Sequence, residues 1–154
     1  MYSNILVPYA GSGAGDKALK HAIAMAKDYD AKITILHVVE DIPVPLSFEY
    51  PERMKIVNEL DQIKDELKGE MQKQLDAMVT DLGKHKIKID TVVVNGYPDE
   101  EIARIAADKK YDLIIMAKRR KLKGIMGVLR LGSTSRKILE RVSSPLLLID
   151  GESE

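Results

Sequence analysis

At 154 residues, with 45% hydrophobic and 31% charged residues, the chain has the size and balance of one globular domain spanning 1–154, and general disorder is excluded. Its 24 Lys plus Arg match 24 Asp plus Glu, so no bulk field draws the molecule to nucleic acid or a membrane, and electrostatic recognition has to be local. The absence of cysteine excludes disulfides, thiolate metal sites and a cysteine nucleophile.

Met1 to Pro8 has no cationic stretch leading into a long apolar one, and no later apolar run approaches the ~18 residues of a membrane helix. A cytoplasmic location and no membrane partner are the expectation. His21, His37 and His85 lie far apart in sequence, which speaks against a zinc site.

In chain order, Asn4 to Pro8 is a short apolar run closed by proline and the turn-like Gly11-Ser12-Gly13-Ala14-Gly15, which predicts a buried strand and a flexible loop. From Asp16 to about Asp28 the residues Ala18, Leu19, Ala22, Ile23 and Ala26 recur at helical spacing. Lys32 to Val39 is rich in β-branched residues and predicts a second buried strand, followed by an extended linker set by Pro43, Pro45 and Pro51. The stripe Ile56, Leu60, Ile63, Leu67, Met71, Leu75, Met78 and Leu82 predicts one long helix ended by Gly83. With no sustained second heptad position, that stripe reads as packing on a sheet rather than as a coiled-coil seam.

Ile87 to Val94 alternates and then turns apolar, a third strand that starts near a sheet edge. Pro98 to Lys109 opens with proline and three acids and ends in lysines, matching the helix dipole. Leu113 to Met116 is a fourth strand, 118–132 a basic loop containing glycines, Ser133 to about Val142 a helix, and Leu146 to Ile149 the last strand. Alternation of strands and helices predicts an open parallel α/β sheet with helices on both faces. Ligands of such sheets sit at the carboxyl ends of the strands, so the loops after the first, second and fourth strands are the ones to inspect.

Gly132-Ser133-Thr134-Ser135 opens the last helix with small and hydroxyl-bearing residues. Two readings stand side by side: a phosphate cradle on free backbone amides, or a plain helix cap. Lys118, Arg119, Arg120, Lys121, Lys123 and Arg130 place positive charge just upstream with no acid between them, either as a solvated face or as phosphate recognition. Nucleic acid is not expected as a partner, because only 5% of residues are aromatic and overall basic charge is lacking. Gly127 to Thr134 misses the Walker loop, since Ser133 stands in the lysine position, and the first loop lacks GxGxxG spacing. For catalysis little is offered. His37 lies within an apolar strand and reads as a buried, hydrogen-bonded histidine rather than a base. Glu40 and Asp41 fit a surface loop as well as a site.

Taken in order, several fragments resemble the universal stress protein family over nearly the whole chain. Ile5-Leu6-Val7-Pro8 with Gly11-Ser12 is similar to that family's first strand and turn, and Leu36-His37-Val38-Val39 to its second strand. Val94-Asn95-Gly96-Tyr97-Pro98, with Ile102, resembles the start of its third helix. Leu131-Gly132-Ser133, Ile138-Leu139 and Ser144-Pro145-Leu146-Leu147-Leu148-Ile149 resemble its closing section.

The resemblance implies a Rossmann-like five-stranded parallel sheet of order 3-2-1-4-5. It also implies a homodimer through Leu146 to Ile149 and a non-enzymatic stress-response protein that binds ATP or AMP, with Mg accompanying the nucleotide. The alternative is a dimeric interaction or protective module that binds no nucleotide. An enzyme of the ATP pyrophosphatase type ranks last, since AGSGAGD after the first strand matches its SGGxDS-like loop poorly. The implied site has Pro8, Tyr9, Ala10 and Val38 on the nucleoside side, and Ala117, Arg119, Arg120, Gly132, Ser133, Thr134 and Ser135 along the glycine pattern and the phosphates. The family's ATP binders carry Gly-x2-Gly-x9-Gly-Ser/Thr. Here Ala117 and Arg120 replace the first two glycines, the loop before Gly132 is longer, and Ala10 stands where an aspartate usually meets the nucleotide. Charge can replace backbone approach at the phosphates, so these departures weigh on adenine selectivity.

Overall fold

A computed structural model describes residues 1–108, 110–118 and 133–150, with the backbone alone for Ser133. The elements are β1 (Asn4–Pro8), α1 (Gly13–Tyr29), β2 (Lys32–Glu40), α2 (Glu52–Gly83), β3 (Ile89–Gly96), α3 (Pro98–Ala106), β4 (Leu113–Lys118), α4 (Ser133–Arg141) and β5 (Leu146–Asp150). The strands form one sheet of order β3-β2-β1-β4-β5, all parallel. This is the open α/β fold and strand order that the sequence implied.

Two-sided burial explains the strand compositions. Ile5 and Val7 of β1 join Ile33, Ile35 and Leu113 in a core under α1 and α2, while Leu6 joins Leu36, Ile114 and Met116 in a second core under α3 and α4. A strand covered on both faces has no polar position to spare, hence the unbroken apolar runs. Small residues on α1, Ala18, Ala22 and Ala26, are buried against the sheet, so that helix lies close to it.

Several boundaries differ from the sequence expectation. Helix α1 starts at Gly13, so Gly13 to Gly15 are its first turn and not a flexible loop; only Gly11, with φ +77, reverses the chain in the left-handed region. Helix α2 does end at Gly83 as expected, while the positive φ beyond it falls on Lys86. Helix α3 ends at Ala106, so Arg104 and not the lysines provides the base in its last turn. Strand β3 runs Ile89–Gly96, two residues later than Ile87 to Val94.

The long stripe on α2 divides in two. Met71, Leu75, Met78 and Leu82 pack into the core beneath α1 and α2. Ile63 and Leu67, by contrast, are 48% and 50% exposed. Lys64 marks the change, because its Nζ reaches Asp41 Oδ1 at 2.9 Å, just past the carboxyl end of β2. Helix α2 has 32 residues, about 48 Å at 1.5 Å per residue, and is longer than the strands it covers. Its amino-terminal turns therefore rise past the sheet.

Candidate ligand-binding site

Strand order reverses between β1 and β4, whose chains continue to opposite sides of the sheet. Their carboxyl ends part there and leave a crevice. A cavity of about 690 Å³ occupies it, a volume within the range of small-molecule sites. Pro8, Tyr9 and Ala10 reach it from β1, Leu36 to Val38 and Glu40 from β2, and Met116 and Ala117 from β4. The starts of three helices close the ring: Ser12 and Gly15 for α1, Tyr97 to Asp99 and Ile102 for α3, and Thr134 and Ser135 for α4.

Free amides at helix starts favour anions, but the three starts are not equivalent. Asp16 sits in the first turn of α1, and Asp99, Glu100 and Glu101 in that of α3. The first turn of α4 carries no acid. A phosphate is therefore repelled least at α4, where Ser135 is almost wholly buried and Thr134 half-buried along the cavity.

At the other side Tyr9 is held from several directions. Its amide donates to the Leu36 carbonyl at 2.8 Å, and its own carbonyl accepts from His37 Nδ1 at 2.7 Å. Its hydroxyl donates to Asp16 Oδ1 at 2.8 Å. Burial first, then that hydrogen bond and the Asp16 charge, push the Tyr9 phenol up to about 12. His37 is half-buried and faces the cavity, not sealed in the core as its apolar strand suggested, because Tyr9 lies beside it only in the folded sheet. With Nδ1–H given to a carbonyl, the neutral ring keeps Nε2 as an acceptor.

Ion pairs brace the rim. Lys137 Nζ on α4 contacts Asp99 Oδ2 at 2.8 Å and Glu100 Oε1 at 2.6 Å, and Arg141 Nη1 contacts Glu100 Oε2 at 2.8 Å. Hydrogen bonds from Lys137 and then Arg141 hold the Glu100 carboxyl below its ordinary range, and those to Asp99 and Glu100 raise Lys137.

Of the residues expected from sequence, Pro8, Tyr9, Ala10, Val38, Ala117, Thr134 and Ser135 line this one cavity. Ser133 opens α4. Arg119, Arg120 and Gly132 lie outside the described residues, as do Lys121, Lys123 and Arg130. Lys118 is described, and its Nζ lies 3.8 Å from Asp150 Oδ2 at the end of β5. Of the two carboxylates after β2, Glu40 lines the cavity and Asp41 is taken by Lys64. Sequence reasoning covered Ser12 and Gly15 only as part of the loop after the first strand, and missed Leu36, Tyr97, Pro98, Asp99, Ile102 and Met116 as lining residues. The Gly96-Tyr97-Pro98 string was a usable signal, since a strand end followed by a helix-start proline belongs at the same edge of a parallel sheet.

Residues 1–150 match the family model described as the universal stress protein family. Among curated proteins the chain is 32% identical over 149 residues to universal stress protein MJ0531 of Methanocaldococcus jannaschii, covering 97% of this chain and 82% of that one. Among solved structures it resembles protein MJ0577, called a universal stress protein of the same organism, with TM-score 0.76, 26% identity, and 100% and 99% of the two chains covered. A universal stress protein family protein of Arabidopsis thaliana, solved with AMP bound, shares the fold with TM-score 0.60 at 15% identity, over 96% and 91% of the two chains.

Proposed function

The chain belongs to the universal stress protein family, and from that premise we propose that it is a non-enzymatic stress-response regulatory protein of the cytoplasm that binds an ATP- or AMP-type nucleotide in the cavity between β1 and β4. One observation carries this reading: residues from three strand ends and three helix starts meet in a single cavity whose least acidic wall is the start of α4. Pro8, Tyr9, Ala10, Val38 and Ala117 would surround the nucleoside. Ser133, Thr134 and Ser135, with Arg119, Arg120 and Gly132, would hold the phosphates. The AMP seen in the Arabidopsis relative is in keeping with that use. Among the described residues no three His, Asp or Glu side chains are grouped for a metal, so Mg2+ would arrive with the nucleotide.

A binding role is favoured over turnover because polar groups near the cavity are engaged in structural contacts. His37 Nδ1 is held by the Tyr9 carbonyl, Asp41 by Lys64 and Asp99 by Lys137. Sustained ATP turnover near ~1 per second, the low end for enzymes, would contradict this. The protein also acts as a homodimer through Leu146 to Ile149. The second reading, an interaction module without nucleotide, draws support from the half-exposed Ile63 and Leu67 on α2. Mass spectrometry of small molecules released from the purified protein tests between the two. A co-purified adenine nucleotide favours the first, and failure of every nucleotide to bind at millimolar concentration, roughly −4 kcal/mol, moves the choice to the second.

A further inference from the structure

The amino-terminal half of α2 carries an apolar seam that the rest of the fold leaves partly uncovered. Ile56, Leu60, Ile63 and Leu67 recur at helical spacing and so share one face. Ile56 and Leu60 are half-buried, whereas Ile63 and Leu67 are 48% and 50% exposed. Glu59, Glu66 and Glu70 each follow three residues after one of these apolar side chains, and Glu52 stands one heptad before Glu59, so the four glutamates line the same side of the seam. All four are exposed, and none forms an ion pair among the described residues. Lys55 lies within helical reach of Glu52 and Glu59 yet pairs with neither. On the opposite flank the base is Lys64, and its Nζ is already held by Asp41 and Asp61, at 2.9 and 3.2 Å. A solvated helix face usually mixes signs so that neighbours three and four apart pair. A rail of one sign beside an open apolar seam is instead one half of a helix pair, and its complement is apolar and basic.

We propose that this face of α2 docks a basic amphipathic helix of a partner protein. Its apolar stripe lies on Ile56, Leu60, Ile63 and Leu67, and its flanking lysines or arginines lie against Glu52, Glu59, Glu66 and Glu70. A second copy of α2 fits worse. In antiparallel pairing the two glutamate rails face each other, with Glu59 opposite Glu66, and like charges across an interface are costly. In parallel pairing the rail meets Val57, Lys64 and Met71, which offer one cation that is already engaged. From Glu52 to Glu70 the rail runs about 27 Å at 1.5 Å per residue, or about five turns of a partner helix. None of the residues lining the cavity between β1 and β4 belongs to α2, so this docking does not depend on a nucleotide being bound there.

The probe is a fluorescently labelled synthetic peptide of roughly 18 residues, matched to that length, with leucines at heptad spacing and lysines beside them. A twin peptide carries glutamates in place of the lysines. Anisotropy titration with the full chain, at about 0.15 M salt to screen distant charges, should show the lysine peptide binding and the glutamate twin not. Ile63→Ser with Leu67→Ser, and separately Glu59→Lys with Glu66→Lys, should each weaken binding by roughly tenfold or more, as loss of central contacts or charge pairs does at interfaces. Asp28→Lys with Asp65→Lys changes the net charge equally at exposed residues off this face and should leave the affinity within about twofold. No binding of the lysine peptide up to about 1 mM overturns the proposal, as does equal binding of the glutamate twin or wild-type affinity in either face variant. An equal loss in the Asp28 and Asp65 variant also overturns it, because the attraction is then unspecific. An assembly of the wild type that sedimentation detects and that Ile63→Ser with Leu67→Ser dissolves makes a second copy the occupant and overturns it as well. Thermal melts check folding, and should the serine variant not fold, Glu59→Lys with Glu66→Lys on the exposed rail decides.

Discussion

Lys137 Nζ lies between Asp99 Oδ2 and Glu100 Oε1, at 2.8 and 2.6 Å, and so ties α4 to the first turn of α3. Both helix starts border the cavity, which makes this surface cluster a brace for the site. Its pH dependence has a definite sign. Glu100 is held below its ordinary range, so its contribution to stability is fully present above the unfolded glutamate value of about 4.3 and is lost as pH falls through the lower folded value. Lys137 is raised, so its contribution is full below the ordinary lysine range and is lost only as pH rises through the raised value. Lys137→Ala should lower the melting temperature at neutral pH and flatten the acid-side fall below about pH 4. Melting curves from pH 2 to 8 check it, and a variant whose acid limb matches the wild type would show that Glu100 is held by Arg141 alone.

The phenol of Tyr9 gives a second signature. Its folded value, pushed up to about 12, exceeds the ordinary value near 10, so the protonated ring contributes stability that is full below pH ~10 and disappears as pH climbs through ~12. Absorbance titration should show a late phase from Tyr9, and Asp16→Ala should bring that phase earlier by removing both the hydrogen bond and the charge. Gly15→Ala, which forces a Cβ against the ring, should also shift it and cost roughly 1–3 kcal/mol of stability, as overpacking does.

Helix α2 should respond unevenly along its length. Leu75 is fully buried and Leu67 is 50% exposed, although both belong to the same apolar stripe. Leu75→Ala should cost about 2–5 kcal/mol through lost burial and a cavity. Leu67→Ala, away from the sheet, should stay within about 0.5 kcal/mol in a monomer. Urea unfolding of the two variants measures the contrast, and equal costs would mean that the outer half of α2 is covered in solution.

How far the sequence could be read follows from which residues report on their own neighbours. Ile33, Ile35 and Leu36 announce β2 because both faces are buried, and the alternation of five such runs with helical stripes leads to a parallel sheet covered on both faces, its strand order following only from the family resemblance. A stripe with helical period cannot reveal where the sheet beneath it stops, so Leu67 and Leu75 looked alike. Gly15 read as loop, although its small size serves the Tyr9 ring, a contact between strand end and helix start that no local pattern encodes. Pro8, Val38 and Thr134 could be placed at the cavity because the strand ends and helix starts along one edge of a parallel sheet are ordered by topology. Asp99 was legible only as a helix-start acid, since its partner Lys137 lies on another helix.

Strand β5 pairs with β4 and ends the sheet, yet Leu146 to Ile149 are apolar on both faces and Leu147 is 36% exposed. An open apolar edge is an association hazard unless a partner covers it. The protein should sediment as a dimer, and Leu147→Lys should shift it toward monomer. A wild-type monomer at tens of micromolar, an estimate for ordinary dimer affinities, would sink the β5 pairing.

The strength of nucleotide binding should come chiefly from phosphate charge. Helix α4 offers an acid-free start, and the chain supplies Arg119 and Arg120 just after β4, whereas the end of β1 brings only Pro8, Tyr9 and Ala10 to the cavity. Affinity should therefore fall steeply between low and high salt, follow phosphate number more than base identity, and be poor for adenosine. Reversing charge at Arg119 and Arg120 should cost more than any change at Tyr9. Ala10→Asp puts a carboxylate acceptor on the nucleoside side and should raise the preference for ATP over GTP, by about five- to tenfold for one hydrogen bond of ordinary strength. Calorimetry of ATP, GTP and adenosine at two salt concentrations, with the wild type and these variants, measures each effect. Tight binding of adenosine that ignores salt would instead assign the energy to the base pocket, and the cations after β4 would then be a solvated surface.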